Sequence, residues 1–161
     1  MIILSIGTNI GNRQENITNA ITALNDIGKV QSVSPIYTSE PWGFESENGF
    51  YNIALILETS LSPLDLLYAT QKIERDLGRT AKTSTAYADR IIDIDIIDYN
   101  NQIIDTQTLT LPHKLMHKRN FVLYPLVDIA PNWQHPILKL TATELKNVSE
   151  DTSVIHILPQ Q

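Results

Sequence analysis

The sequence has no cysteine, which rules out a disulfide framework and any thiolate metal site. It has no long hydrophobic run either. The leading segment Ile2-Ile3-Leu4-Ser5-Ile6-Gly7 lacks a basic n-region and is far too short to span a bilayer. A cytoplasmic protein with no membrane partner is expected. Basic charge is in deficit, with 12 Lys and Arg against 18 Asp and Glu and a net charge of −6, which argues against a nucleic-acid binder. Repeats, low-complexity tracts and linkers are missing too. What remains is 161 residues, 42% apolar and 19% charged, the composition of one globular domain over residues 1–161.

The scarce cations are unevenly placed. Lys72, Arg75, Arg79, Lys82, Arg90, Lys114, Lys118 and Arg119 all fall in one stretch of the chain. They surround Arg90-Ile-Ile-Asp93-Ile-Asp95-Ile-Ile-Asp98-Tyr99, a β-branched run that reads as a strand. Alternation puts Ile92, Ile94 and Ile96 in one apolar row and Asp93 and Asp95 on the other face. Asp98 returns to the isoleucine face as a residue of the strand end. The two carboxylates sit roughly 7 Å apart along the strand. That spacing suits Mg²⁺ shared with phosphate oxygens, although a strand face open to water is the commoner reason for a lone Asp-x-Asp. Cations gathered around the pair point to an anionic ligand.

Around this strand the chain reads as strand Ile2 to Ile6, helix Arg13 to Ile27, strand Val30 to Tyr37, strand Phe50 to Glu58 and helix Pro63 to Leu77. The helix apolar sets are Ile17, Ala20, Ile21, Leu24 and Ile27, then Leu64, Leu67, Ala69, Ile73 and Leu77. Gly7 to Asn12 is expected as a turn. Two polar loops, Thr38 to Gly49 and Arg79 to Asp89, are longer than a hairpin needs, and the second reads as a lid or as a plain surface loop. After the Asp strand come a small hairpin, Gln102 to Ile104 with Thr108 to Leu111, helices Phe121 to Ile129 and Thr141 to Asn147, and a strand Val154 to Leu158. The order βαββαβ predicts an α+β, ferredoxin-like core. Its antiparallel sheet would carry helices on one face, leave the other for a ligand, and be followed by a C-terminal extension.

Taken in order, Gly7-Thr8-Asn9, Tyr37 through Gly43, Phe50-Tyr51-Asn52, Gln71-x-x-Glu74, Gly78-Arg79, Arg90-x-x-Asp93-x-Asp95 and Pro112-His113 through Arg119-x-Phe121 resemble the 6-hydroxymethyl-7,8-dihydropterin pyrophosphokinase family. The likeness runs from Ile3 to about Pro131. It implies transfer of pyrophosphate from ATP to a pterin alcohol in folate synthesis, with two Mg²⁺ ions and ATP as co-substrate. The partners implied are small molecules, for a monomeric enzyme.

Carried residue by residue, the resemblance implies that Asp93 and Asp95 hold the metals. Together with Arg79 and Arg90 they form the catalytic set. Gln71, Glu74, Arg79, Lys82, Arg90, His113 and Arg119 would bind ATP. Ser39, Glu40, Trp42, Phe50, Asn52, Asp93 and Phe121 would bind the pterin, Phe121 stacking on its ring and Asn52 meeting its edge. The loop before the Asp pair departs from the family pattern: Lys82 stands for a further Arg and Tyr87 for a Trp. Lys lacks the bidentate fork of Arg, so ATP affinity and lid closure are where the departure bears. A nucleotidyl transferase with a ferredoxin-like palm, or a binding module without catalysis, are the alternatives. Asn52, Phe121 and Pro112-His113 speak against the first, and the Asp pair among arginines against the second.

Overall fold

The structure, a computed structural model, describes residues 1–39, 49–78 and 91–159. Strand β1 (Ile2–Thr8) leads into helix α1 (Arg13–Ile27), then β2 (Lys29–Val33), β3 (Tyr37–Ser39), β4 (Phe50–Glu58), α2 (Pro63–Asp76) and β5 (Asp93–Tyr99). A hairpin of β6 (Ile104–Asp105) and β7 (Thr110–Leu111) follows. A 3-10 turn at Met116–Lys118, α3 (Asn120–Ile129), α4 (Ala142–Val148) and β8 (Ile155–Ile157) complete the chain. Among the described residues no helix is long and apolar enough to cross a membrane.

The helices begin where local chemistry starts them. Asn12 caps α1, its side chain accepting the Glu15 N–H at 3.1 Å. Ser62 does the same for α2 through the Asp65 N–H at 3.2 Å, with Pro63 opening the first turn. In α2 the buried positions are Leu66, Thr70, Ile73 and Glu74. Leu64, expected on the apolar side, is 42% exposed, because the buried stripe lies two residues further on. The expected strand Val30 to Tyr37 is two strands: Pro35 cannot donate to a ladder, and Ser34 takes over locally. Its N–H reaches the Ala54 carbonyl at 2.9 Å and its hydroxyl accepts the Ala54 N–H at 3.0 Å. The Gly7-Thr8 stretch, expected as a turn, belongs to β1.

The main sheet runs β5-β1-β4-β3-β8, with β2 also on β4, and every pairing is antiparallel. One face holds Leu4, Ile6, Ile53, Leu55, Ile92, Ile94 and Ile96 against Ile17, Ala20 and Leu24 of α1 and Leu66 and Ile73 of α2. Leu55 is fully buried there, and truncating such a side chain to Ala costs about 2–5 kcal/mol. The isoleucine row is therefore core, as alternation predicts.

The opposite face is not wholly open. The C-terminal extension returns across it, and Val122, Leu123 and Leu126 of α3 pack with Met116, Ile3 and Ile97. Helices thus lie on both faces, α1 and α2 on one and α3 on part of the other. A register shift in the β1–β5 ladder pairs Leu4 with Ile96 but Ile3 with Asp98. This corrects the placement of Asp98. The extra residue carries it off the isoleucine face to the α3 side, where it is fully buried. Burial pushes its carboxyl pKa up, opposed by the Asn101 N–H, the Trp133 indole and the N-terminal ammonium. It is a buried core group near the end of β5.

Candidate active site

The same face carries a row of cross-strand neighbours that ends under α3, where Tyr37 meets Tyr124 and Asp128. Asp93 on β5 pairs with Gly7 on β1, Gly7 with Asn52 on β4, and Asn52 with Tyr37 on β3. Directly opposed residues of a sheet point to the same side. One row therefore carries the first carboxylate, a glycine and the amide. Asp95 pairs with Ser5, and Ser5 with Ala54, in the next row on this face. Asp93 and Asp95 are both half-buried.

A Cβ at Gly7 would lie 3.0 Å from Asn52 Oδ1, which would have to give by a few tenths of an ångström, and 3.6 Å from Phe50 Cδ1, an ordinary contact. Asn52 is 2% exposed, and its Nδ2 donates to Ser39 Oγ at 2.8 Å, which holds the side chain against β3. Ser39 pairs with Phe50 in the same ladder. Ser39, Phe50 and Asn52, expected together on sequence grounds, are together in the fold.

His113 reaches the carboxylates from outside the main sheet. Its N–H donates to the Ile97 carbonyl at 2.8 Å, and its Nδ1 accepts the Leu115 N–H at 3.2 Å. The ring proton of the neutral form is therefore on Nε2. Nε2 lies 3.9 Å from Asp95 Oδ2.

Arg119 and Phe121 flank Asn120, the first residue of α3. The Arg119 guanidinium carbon lies 5.6 Å from the Phe121 ring centre, and Arg119 is 7% exposed. An arginine and an aromatic face are thus placed side by side on the α3 side of the sheet.

Gln71 and Glu74 come from α2, which packs against the other face. Gln71 is half-buried. Glu74 is 2% exposed, and its Oε2 accepts the Ile94 N–H at 2.8 Å. It grips the backbone between the two aspartates. Glu40, Trp42, Arg79, Lys82 and Arg90, with Tyr87, lie outside the described residues.

Sequence reasoning missed Arg13. Its guanidinium donates to the Gly49 carbonyl at 2.8 Å and lies 4.2 Å from the Tyr51 ring centre. It pins the chain where it re-enters β4 beside Phe50. A lone arginine opening a helix gives no sequence signal for a contact 36 residues away. Thr8 was likewise unassigned: fully buried, its hydroxyl donates to the Ile91 carbonyl and accepts from Asn16 Nδ2, tying β1 and α1 to the chain entering β5.

Three comparisons bear on what this arrangement is. The family model described as 7,8-dihydro-6-hydroxymethylpterin-pyrophosphokinase (HPPK) matches residues 3–131. The 2-amino-4-hydroxy-6-hydroxymethyldihydropteridine pyrophosphokinase of Aquifex aeolicus is 39% identical over 145 residues, 90% of this chain and 89% of that one. The protein of the same name from Porphyromonas gingivalis is 42% identical over 139 residues, 84% of this chain and 94% of its own. The folic acid synthesis protein FOL1 of Dictyostelium discoideum is 41% identical over 159 residues, but the chain spans only 24% of its length. In fold, wild-type HPPK-DHPS of Plasmodium falciparum with SDX-DHP superposes with a TM-score of 0.72 at 17% identity, over 91% of this chain and 43% of that one. On the family model and these relatives, the chain belongs to the 7,8-dihydro-6-hydroxymethylpterin-pyrophosphokinase family of enzymes.

Proposed function

We propose that the chain transfers the pyrophosphoryl group of ATP to the hydroxymethyl oxygen of 6-hydroxymethyl-7,8-dihydropterin, a step of folate synthesis. The observation that carries this reading is the row Asp93–Gly7–Asn52. It sets a phosphate-handling carboxylate and an amide suited to a heteroaromatic edge on one rigid face. In the reaction the hydroxymethyl oxygen bonds to the β-phosphorus, the bond from that phosphorus to the α–β bridging oxygen breaks, and AMP leaves. The hydroxyl proton is lost in the same exchange.

Phosphoryl chemistry asks the protein mainly for position and charge. Asn52, locked by Ser39, meets the pterin edge. Phe121 and Phe50 supply ring faces, and Ser39, Glu40 and Trp42 wall the pocket. His113 and Arg119 donate to the triphosphate, with Arg79, Arg90 and Lys82 arriving from the segment after α2 and Gln71 beside the nucleotide.

Asp93 and Asp95 fit Mg²⁺: two hard oxygen donors, half-buried on the edge strand β5. Among the described residues no group of three or more His, Cys, Asp or Glu gathers there, and Mg²⁺ is content with one or two carboxylates, water and phosphate oxygens. In this reading two ions are held, and when bound they neutralise and align the phosphate oxygens. The strand order around β1 and β4 supports a ferredoxin-like core, and we read residues 1–161 as one cytoplasmic, monomeric domain.

Incubation with Mg·ATP and the pterin, followed by separation of the nucleotides, tests the proposal. AMP released only when the pterin is present is the expected result. ADP instead would mean attack at the γ-phosphorus and a different use of the site.

A further inference from the structure

We propose that Asp151 is a positioning residue for this reaction: from the C-terminal segment it clamps the first residue of α3, and through it orients Arg119 and Phe121. The inference rests on the reading of those two residues given under the proposed function.

Helix α3 starts without the usual device. Its N-cap residue is Arg119, which makes no side-chain capping bond, although Ser, Thr, Asp or Asn is the ordinary choice there. The first N–H groups of a helix have no partner within it. Here a carboxylate from 31 residues further along the chain supplies one. Asn120 N–H donates to Asp151 Oδ2 at 2.8 Å, and Asn120 Nδ2 donates to the Asp151 carbonyl at 2.9 Å. The negative charge also sits at the end of the helix dipole that favours it.

The clamp is held in turn. Asp151 Oδ1 accepts the Ser153 N–H at 2.8 Å and the Ser153 hydroxyl at 2.6 Å. The Asp151 N–H donates to Ser149 Oγ at 3.2 Å. Both carboxylate oxygens are engaged, so the group is pinned from both sides. Asn120 is 5% exposed, and water is a poor substitute at such a site.

The consequence follows from chain order. Asn120 lies between Arg119 and Phe121, whose guanidinium and ring stand 5.6 Å apart. A shift of Asn120 moves both, one toward or away from the phosphates and the other relative to the pterin. Small displacements of positioning groups are costly to rate. Asp151 lies beyond residue 131, where the family model ends. A part of the chain outside the motif region therefore sets the geometry of two motif residues.

The test uses the full chain with Asp151→Ala and Asp151→Asn. Four quantities are read: hydrogen exchange of the Asn120 and Phe121 amides, pterin affinity by fluorescence titration, kcat with both KM values, and the melting midpoint. Asp151→Ala is expected to lose amide protection at Asn120 and to lower kcat/KM for the pterin on the order of tenfold or more. Asp151→Asn keeps only one acceptor oxygen and turns an NH₂ toward the donors of either Asn120 or Ser153, so it should recover only part of both. Ser153→Ala, which removes one support of the carboxylate, should fall between wild type and Asp151→Ala and serves if the latter does not fold. A lowered melting midpoint with unchanged pterin affinity and kcat would reduce Asp151 to a structural role and overturn the proposal. Wild-type protein that fails to bind the pterin overturns the reading of the site instead, while the Asn120 exchange still reports whether the clamp exists.

Discussion

Glu74 and Ile94 are joined by a hydrogen bond of 2.8 Å between a buried carboxylate on α2 and the backbone N–H of β5 midway between Asp93 and Asp95. The bond ties a helix on the core side to the strand that presents the carboxylates on the other. Glu74→Ala leaves that N–H unpaired in the interior, at a cost of about 1–3 kcal/mol from the lost bond alone. Chemical denaturation measures it. Glu74→Gln keeps an acceptor and should lose less. Equal stability of all three proteins would remove Glu74 from any role in holding β5.

Asp95→Ala should abolish turnover and leave pterin binding detectable, since the carboxylate serves the phosphates rather than the ring. Product analysis and fluorescence titration on the same preparation separate the two. Near-wild-type turnover would sink the assignment of Asp95.

Gly7→Ala places a methyl 3.0 Å from Asn52 Oδ1 and 3.6 Å from the Phe50 ring. Asn52 cannot simply swing aside, because its amide is bound to Ser39. The KM for the pterin should rise on the order of tenfold, about 1.4 kcal/mol, with the KM for ATP little changed. An equal rise in both would point to general damage to β1.

Phe121→Ala should weaken pterin binding by about 1–3 kcal/mol, the scale of a large side chain's burial. Unchanged affinity would count against stacking and leave Phe50 as the ring contact.

Stability should fall as the solution is made acid below about pH 6.5. Burial lowers the pKa of His117, helped by Lys118, and burial lowers that of His135, helped by His117. The two rings stand 6.1 Å apart. Above the unfolded value both are neutral in either state, and nothing is gained or lost. As pH drops through it, the unfolded chain takes up protons that the folded chain refuses, so unfolding gains. Denaturation midpoints at pH 7.5 and 5.5, for wild type and a double His→Gln variant, check this. The variant should lose the part of the acid sensitivity that these rings supply.

Much of the fold was legible because alternation and helical periodicity are local. The isoleucine row of β5, the Ser62–Pro63 start of α2 and the shared strand of Phe50 and Asn52 in β4 needed only neighbouring residues. What escaped was non-local. The bulge that turned Asp98 inward is a property of two strands together. The return of α3 onto the second sheet face depends on Ile3, at the far end of the chain. Arg13 and Asp151 act on residues 36 and 31 positions away, and no motif marks such partners. The resemblance supplied the roles of His113 and Arg119, which their spacing alone did not.

The row Asp93–Gly7–Asn52 makes the sheet a ruler. Its two ends are separated by two strand spacings, roughly 10 Å, and that length is set by backbone hydrogen bonds rather than by any side chain. In the proposed reading, the phosphate-accepting arm and the ring edge of the substrate are held at this fixed spacing. Side chains in the helices can drift without changing the gauge, which agrees with a fold kept at 17% identity. Lengthening the gauge would require breaking the β1–β4 or β1–β5 ladder.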